Sequence, residues 1–408
     1  MKILFITHYF YPDPNIFYGL PFAKELVKRG HQVEVLTSFP NYLDGERFGY
    51  KQKVLLKETI DGVKIFRVPL YPSHNESSVK RSLCYLTYAM SASIWGVWNV
   101  SKPDVVYLPH GPITSAFPGI FTRIFRGAPY VLNIQDIWPD SVESTGMLSN
   151  RFALNLLNSI CKMAYSFADN IAVISPGAKN KLIERGVEPE KIELVYNWCD
   201  EVHFPSDTAY DFDLAEKLNV RGCFNVVYTG NLGPAQDMMT VLRAAEKIQS
   251  IVPEVRFILV GSGVEQSMLQ KELELRNINN VILHDRVSLN HISNFLSLAN
   301  LALVHLKDKP LFRITMPSKI QTYMSSGKAI LAGISGDPSK LVADAGAGIG
   351  FEPGDSESLC KAVYEARSLG KNKLAEMGRN ARAFYEQNMS FSHGVDTYLK
   401  IFEQIRRK

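Results

Sequence analysis

Short runs of adjacent apolar, often β-branched residues alternate along this chain with longer stretches of helical periodicity, and that alternation narrows the fold more than any other feature. The runs expected as strands are Lys2–Thr7, Gln32–Thr37, Val63–Val68, Val105–Leu108, Tyr130–Ile134, Ile171–Ile174 and Ile192–Val195. Most are apolar at successive positions rather than at every second one, as in a parallel sheet covered on both faces. Between the first two, Leu20–Arg29 has helical periodicity and stops at Gly30. A βαβ series of this kind builds a doubly wound sheet.

The series breaks once. Residues 197–222 are polar and irregular, and a second βα series then runs through Asn225–Thr229, Val255–Val260, Val281–His284, Leu301–Val304, Ala329–Leu331 and Gly348–Phe351. A chain of 408 residues is too long for one ordinary core. The expected organisation is α/β with two Rossmann-like, doubly wound parallel-sheet domains facing each other across a cleft. The first covers 1–197, a linker 198–222 and the second 223–390, with a last helix over about 391–408 free to pack back on the first.

With 46% hydrophobic and 21% charged residues the chain is globular rather than disordered. Its five cysteines are scattered, with no CxxC pair, and its nine histidines lack ligand spacing, so neither a disulfide framework nor a metal site is expected. A reducing cytoplasm suits that pattern. The apolar run at the start is too short for a signal peptide and reads as a strand.

Net charge is only +4, and no nucleic-acid partner is expected, but the charge is uneven: residues 47–130 hold eleven Lys/Arg against four acids. The same segment contains the apolar stretch Cys84 to Trp98, which is shorter than a membrane span. A basic face beside an apolar helix suits the surface of an anionic bilayer, here the inner membrane. An ordinary core helix flanked by solvated lysines is the alternative.

Two open parallel sheets bind ligands at the carboxyl ends of their strands. The first strand leads through Tyr18 and Gly19 into a helix without the GxGxxG fingerprint, which argues against a dehydrogenase. After the strand ending at Thr229, Gly230-Asn231-Leu232-Gly233-Pro234-Ala235-Gln236-Asp237 suits a phosphate cradle, with Asp237 available as a helix cap. A second glycine turn, Gly261-Ser262-Gly263, closes the next strand. In Arg313-Ile314-Thr315-Met316-Pro317-Ser318-Lys319-Ile320-Gln321-Thr322, Ser318 and Gln321 fit a capping box, so a helix is expected from Ser318 to a stop at Gly327. Its free amides, dipole and Lys319 would seat a diphosphate; a merely well-capped helix is the alternative. In the first domain Asp136, Trp138 and Asp140 follow a buried strand, where a carboxylate could also cap a helix.

Taken together, Tyr18-Gly19, Gly30-His31-Gln32-Val33, Gln135-Asp136-Ile137-Trp138-Pro139-Asp140, Ile174-Ser175-Pro176-Gly177, Tyr196-Asn197-Trp198, Gly230-Asn231-Leu232-Gly233 and Pro317-Ser318-Lys319 through Gly327-Lys328 resemble the retaining glycosyltransferases of family 4, which have the GT-B fold. The likeness is to the WbuB-type enzymes of O-antigen, capsule and exopolysaccharide assembly, and it covers nearly the whole chain. It implies that the second domain holds a nucleoside diphosphate sugar, a UDP-sugar on family grounds, and that no cofactor or metal is needed. Gly19, Gly230, Asn231, Gln236, Gly261, Arg286, Val287, Arg313, Pro317, Ser318, Gln321 and Thr322 would then surround the donor.

Lys319 would stabilise the leaving diphosphate, Asp136 orient the acceptor or transferred sugar, and His110 touch the sugar. Trp138, Lys80 and Arg81 would meet a saccharide acceptor linked to polyprenyl diphosphate. Two departures stand out. The Arg and Lys that many members carry in the turn after the second domain's first strand are here Asn231 and Gln236, and the usual glutamate pair falls on Ile314 and Thr322. A nucleotide-sugar epimerase of the same fold, or an inactive nucleotide-sugar-binding protein, are the competing readings.

Overall fold

The structure is a computed structural model, and it describes residues 1–13, 18–40, 49–73, 78–109, 112–144 and 150–407. Its internal contacts divide the chain into two units, Met1–Tyr196 with Gly394–Lys408, and Asn197–His393.

The first unit runs β1 (Lys2–Ile6), α1 (Leu20–Lys28), β2 (Gln32–Ser38), β3 (Leu56–Ile60), β4 (Val63–Val68), α2 (Ser78–Ser91), α3 (Val97–Asn99) and β5 (Val105–Leu108). It continues with α4 (Ala116–Arg126), β6 (Tyr130–Ile134), α5 (Asp140–Ser144), α6 (Arg151–Phe167), β7 (Asn170–Val173), α7 (Pro176–Glu184) and β8 (Ile192–Leu194). The eight strands lie in the order β3-β4-β2-β1-β5-β6-β7-β8, parallel except for the β3–β4 hairpin. Strand β3 was not anticipated: Lys57 and Glu58 give it no apolar run, and it is joined to β4 by Asp61-Gly62, both at positive φ, the turn chemistry of a tight hairpin. Central strands β5 and β6 are buried at every position, as helices on both faces require.

The second unit comprises α8 (Phe212–Lys217), β9 (Phe224–Thr229), α9 (Met238–Ile251), β10 (Val255–Val260), α10 (Gln266–Leu275), β11 (Val281–His284), α11 (Leu289–Ser297) and β12 (Leu301–His305). After these come α12 (Ser318–Ser325), β13 (Ile330–Gly333), α13 (Asp337–Asp344), β14 (Gly348–Gly350) and α14 (Ser356–Asn388). Its six strands are all parallel, in the order β11-β10-β9-β12-β13-β14. Residues 198–222 pack within this unit: Trp198 is buried against Phe391, and Glu201 accepts hydrogen bonds from the Tyr385 hydroxyl (2.8 Å) and the Phe391 amide (2.7 Å).

From Gly394 onward the last helix, α15 (Phe391–Arg406), belongs to the first unit. Tyr398 and Phe402 are buried among Tyr18, Phe22 and Tyr107, with the Tyr398 and Tyr107 rings 5.0 Å apart. Asp396 pairs with Arg29.

In each sheet the first strand sits where the order reverses, β1 between β2 and β5 and β9 between β10 and β12. The turns that leave β1 and β9 therefore occupy the switch points at which open α/β sheets take ligands.

Candidate functional site

In the second unit two glycine turns nest at the carboxyl ends of β9 and β10. Gly230 has φ 139° and donates its amide to Val260 O (2.9 Å), while Gly261 donates to His284 O (3.0 Å). A Cβ at Gly261 would lie 1.7 Å from the Gly230 carbonyl oxygen, so only glycine lets these backbones approach so closely. With Asn231, Arg286 and Val287 the turns enclose a pocket of about 400 Å³. The expected donor residues Gly230, Asn231, Gly261, Arg286 and Val287 are thus brought around one space.

Helix α12 begins beside it. Its N-cap is Pro317, which makes no side-chain cap, so the expected capping box is not formed. The reason is local: proline's fixed φ already suits the cap, and Ser318 is the first helical residue. Gln321 is buried, and with its amide turned toward acceptors its nitrogen donates to the carbonyls of Pro317 and Ser318 (both 2.9 Å). Thr322 Oγ1 donates to Ser318 O (3.2 Å). The Tyr323 hydroxyl accepts from the Thr229 amide (3.0 Å) and fixes the helix to the end of β9.

Lys319 lies back along the glycine turn. Its Nζ is 4.9 Å from the centre of the Tyr228 ring, and a Cβ at Gly230 would lie 2.6 Å from its Cε. Gly230 suits its positive φ, and a side chain there would displace the flexible end of Lys319 from the turn. Burial pushes the amine down to about 8, and among the described residues no carboxylate pairs with it. A desolvated cation beside free helix amides is poised for an anion, because the anion restores the interactions that burial removed.

Other expected cations and amides are committed elsewhere. Gln236 Oε1 accepts from the Gly233 amide (3.2 Å) and from Asn231 Nδ2 (3.4 Å), so the two residues that replace charged ones brace the turn with neutral hydrogen bonds. Arg313 forms a two-point pair with Asp308 (2.8 and 2.6 Å), which answers its charge. Asp237 stands at the N-cap of α9 but in the left-handed region, where its carboxylate accepts from the Thr240 hydroxyl (2.8 Å) rather than from a helix amide.

One structural residue escaped the sequence reading. His305 ends β12, and its Nε2 accepts from the Gly354 amide (3.2 Å). Nδ1 therefore carries the proton and donates to Gln236 O (2.9 Å). Burial lowers its pKa, consistent with a neutral ring that ties the glycine turn to the turn after β14.

In the first unit Gly19 is the N-cap of α1, at φ −88°. Tyr18 before it is buried, and its hydroxyl accepts from Gln135 Nε2 (2.9 Å) and Asn133 Nδ2 (3.4 Å). The exposed Asp136 and half-buried Trp138 line a small pocket with Pro109 and Tyr165. Asp140 is tied to Arg185 Nη2 (2.7 Å), whose Nη1 also meets Trp138 O (2.5 Å), so this second carboxylate is structural. Lys80 is exposed and Arg81 half-buried on α2. His110 lies outside the described residues. Among the described residues no group of three or more His, Cys, Asp or Glu is placed to hold a metal ion.

Residues 18–198 match the family described as glycosyl transferase 4-like domain, and residues 223–368 match glycosyl transferases group 1. A protein named as the colanic acid biosynthesis glycosyl transferase WcaI of Escherichia coli is 24% identical, over 89% of this chain and 91% of its own. Among solved structures, HepE of Anabaena in complex with UDP has a TM-score of 0.68 and 19% identity, covering 99% of this chain and 100% of its own. WaaG, a glycosyltransferase involved in lipopolysaccharide biosynthesis, has a TM-score of 0.64 and 15% identity, covering 98% and 99%. At these identities the structural likeness is one of fold, and that fold is GT-B.

Proposed function

From a glycosyltransferase of the GT-B type as premise, we propose that this protein moves a sugar from a UDP-sugar to a saccharide acceptor in surface-polysaccharide assembly, with retention of anomeric configuration and without a metal ion. The observation that carries this reading is Lys319, a desolvated ammonium with no carboxylate partner among the described residues, lying along Gly230 at the start of α12. HepE, which shares the fold, is known in complex with UDP and with UDP-glucose, which favours uridine as the nucleoside.

In this reading the base and ribose enter the pocket of Gly261, Arg286 and Val287, and the diphosphate meets Lys319 and the amides of Ser318 and Lys319. As the bond from the anomeric carbon to the diphosphate oxygen breaks, negative charge grows on that oxygen, where fixed donors stabilise it without reorganising. The acceptor hydroxyl oxygen bonds to the anomeric carbon on the face the diphosphate leaves, and its proton passes to the leaving phosphate. No protein nucleophile is then required. Asp136 orients the acceptor or the sugar, and His110 contacts the sugar.

The test is transfer from a panel of UDP-sugars, with the product's anomeric configuration read by NMR. Lys319→Ala is expected to lower turnover by about 10²–10³-fold with the fold intact, and a chelator to leave turnover unchanged. Near-wild-type turnover of Lys319→Ala at saturating donor would refute the assigned role.

The reading extends to a polyprenyl-diphosphate-linked acceptor met at the cytoplasmic face of the inner membrane, with Lys80, Arg81 and Trp138 toward it. Support comes from an apolar ridge on the first unit. Val79, Leu83, Leu86 and Met90 recur at helical spacing along α2, and Trp95 and Trp98 continue the line, 47% and 57% exposed. Phe125 of α4 stands 6.1 Å from the Trp98 ring and is itself exposed. From Ser78 to Pro103 the chain contains no Asp or Glu, while Lys80, Arg81 and Lys102 supply positive charge. Exposed indoles beside cations fit a bilayer interface with anionic headgroups. No helix among the described residues is long and apolar enough to cross a membrane. Sedimentation with vesicles containing anionic lipid is expected to carry down the protein, and the Trp95→Ser/Trp98→Ser variant to stay in solution. Equal binding by both would remove the ridge from this role.

A further inference from the structure

A second basic concavity in the second unit is untouched by the transfer reading. It opens at the amino ends of β12 and β13, the end of the sheet opposite Gly230, as a cavity of about 630 Å³. Lys328, Lys371, Arg379 and Arg382 line it, against a single carboxylate, Glu386, which is already bound to Arg382 Nε (2.6 Å). Among the described residues Lys328 and Lys371 make no ion pair, and Arg379 makes no direct one but helps Lys373 hold the nearby Glu376 carboxyl below its ordinary range. An adjoining concavity of about 690 Å³ shares Lys371 and adds Arg221 and the Arg367–Glu254 ion pair.

Two local features build the site. Positions 371, 379, 382 and 386 fall on one face of α14. That face sits directly on the turn that delivers Lys328: a Cβ at Gly378 would lie 2.2 Å from Gly327 O, so the helix approaches the turn as closely as only glycine permits. Gly327 itself is left-handed (φ 61°), and the Lys328 amide donates to Tyr323 O (3.0 Å), fixing where its side chain departs. Burial lowers the Lys328 amine, so its charge lacks the hydration the exposed lysines keep.

We infer that this cavity is a binding site for a soluble, multiply charged phosphate compound, distinct from the donor pocket. The cations facing this concavity repel each other until a polyanion enters, and the guanidinium of Arg379 presents a fork that matches phosphate oxygens. A single carboxylate, already neutralised, offers no opposition.

The probe is inorganic tripolyphosphate, titrated calorimetrically into the whole protein with and without excess UDP. Binding is expected to persist in excess UDP, to fall steeply with added salt, and, under excess UDP, to be weakened about tenfold or more in Lys328→Gln/Arg379→Gln, whose affinity for UDP is unchanged. With UDP saturating the donor pocket, absence of tripolyphosphate binding, or equal affinity in the double variant, would each overturn the inference. Vesicles with anionic lipid separate the other source of phosphate. Unchanged vesicle binding by the double variant assigns the cavity to soluble phosphate, and loss of vesicle binding without any tripolyphosphate binding overturns that assignment.

Discussion

After β1 the chain takes the thirteen residues Thr7 to Gly19 to reach its helix; after β9 it takes the eight from Gly230 to Asp237. Both turns leave the switch point of their sheets, yet their contents differ. In the first unit the described part of the turn is filled by its own side chains: Thr7, His8, Phe10, Asp13 and Tyr18 are all buried. In the second unit Gly230 and Asn231 are exposed, Gly230 brings no side chain into the turn, and Lys319 lies along it. The described part of one switch point is packed with side chains, and the other opens on a pocket beside Lys319, although the two sheets obey the same topological rule. On the proposed function, the second is the one that takes the anion.

The most disruptive way to sharpen this contrast is Gly261→Ala. Its Cβ would meet the Gly230 carbonyl, a backbone atom that cannot swing aside. The variant is expected to lose about 2–4 kcal/mol in urea unfolding and to lose UDP binding. Retention of both would mean that the nested turns are looser than their geometry requires.

A smaller effect is expected from pH. With the Lys319 amine at about 8, kcat/KM for the donor should hold below that value and fall as pH rises through it, approaching about tenfold per unit as the cation is lost. Lys319→Arg should flatten the fall. Stability moves the other way. The charged amine is disfavoured by burial, so the penalty is fully present below about 8 and fades as pH rises toward the ordinary lysine range. Lys319→Met should therefore raise Tm at neutral pH and not in strong alkali. A donor profile that stays level through this window would break the contrast, because it would leave the open switch point without a working cation.

The smallest effect belongs to the filled switch point. Tyr18→Phe removes a hydroxyl that accepts from Gln135 and Asn133. It should cost about 1 kcal/mol of stability and leave UDP affinity unchanged by calorimetry. A marked loss of UDP affinity would show that the first unit's turn also serves the nucleotide.

Much of the fold was legible because burial on both faces writes itself into consecutive residues. Val63–Val68, Val105–Leu108, Tyr130–Ile134 and Val255–Val260 match the structure to the residue on that basis, and the half-buried edge strand Val281–His284 matches through its apolar run alone. Strand Leu56–Ile60 escaped because an edge strand with charged side chains carries no such run; only Asp61-Gly62 marked it. The glycine turns and Lys319 could be read because they follow strand ends or open a helix. The Arg313–Asp308 pair could not, since nothing in a five-residue spacing within a loop dictates a contact. His305 was invisible for a different reason: its partners, Gln236 and Gly354, lie far away in sequence and meet it only once the sheet has formed.

The position of α15 bears on how the protein is made. Every residue of the second unit is translated before Tyr398 and Phe402, yet those rings complete the aromatic interior of the first. The nascent first unit thus emerges with a gap beside Tyr107 and Asn133 that stays unfilled during synthesis of the intervening residues. The usual order, in which the earlier-made domain is finished first, is reversed here: the later-made unit has its full complement of residues while the earlier one still waits for its last helix.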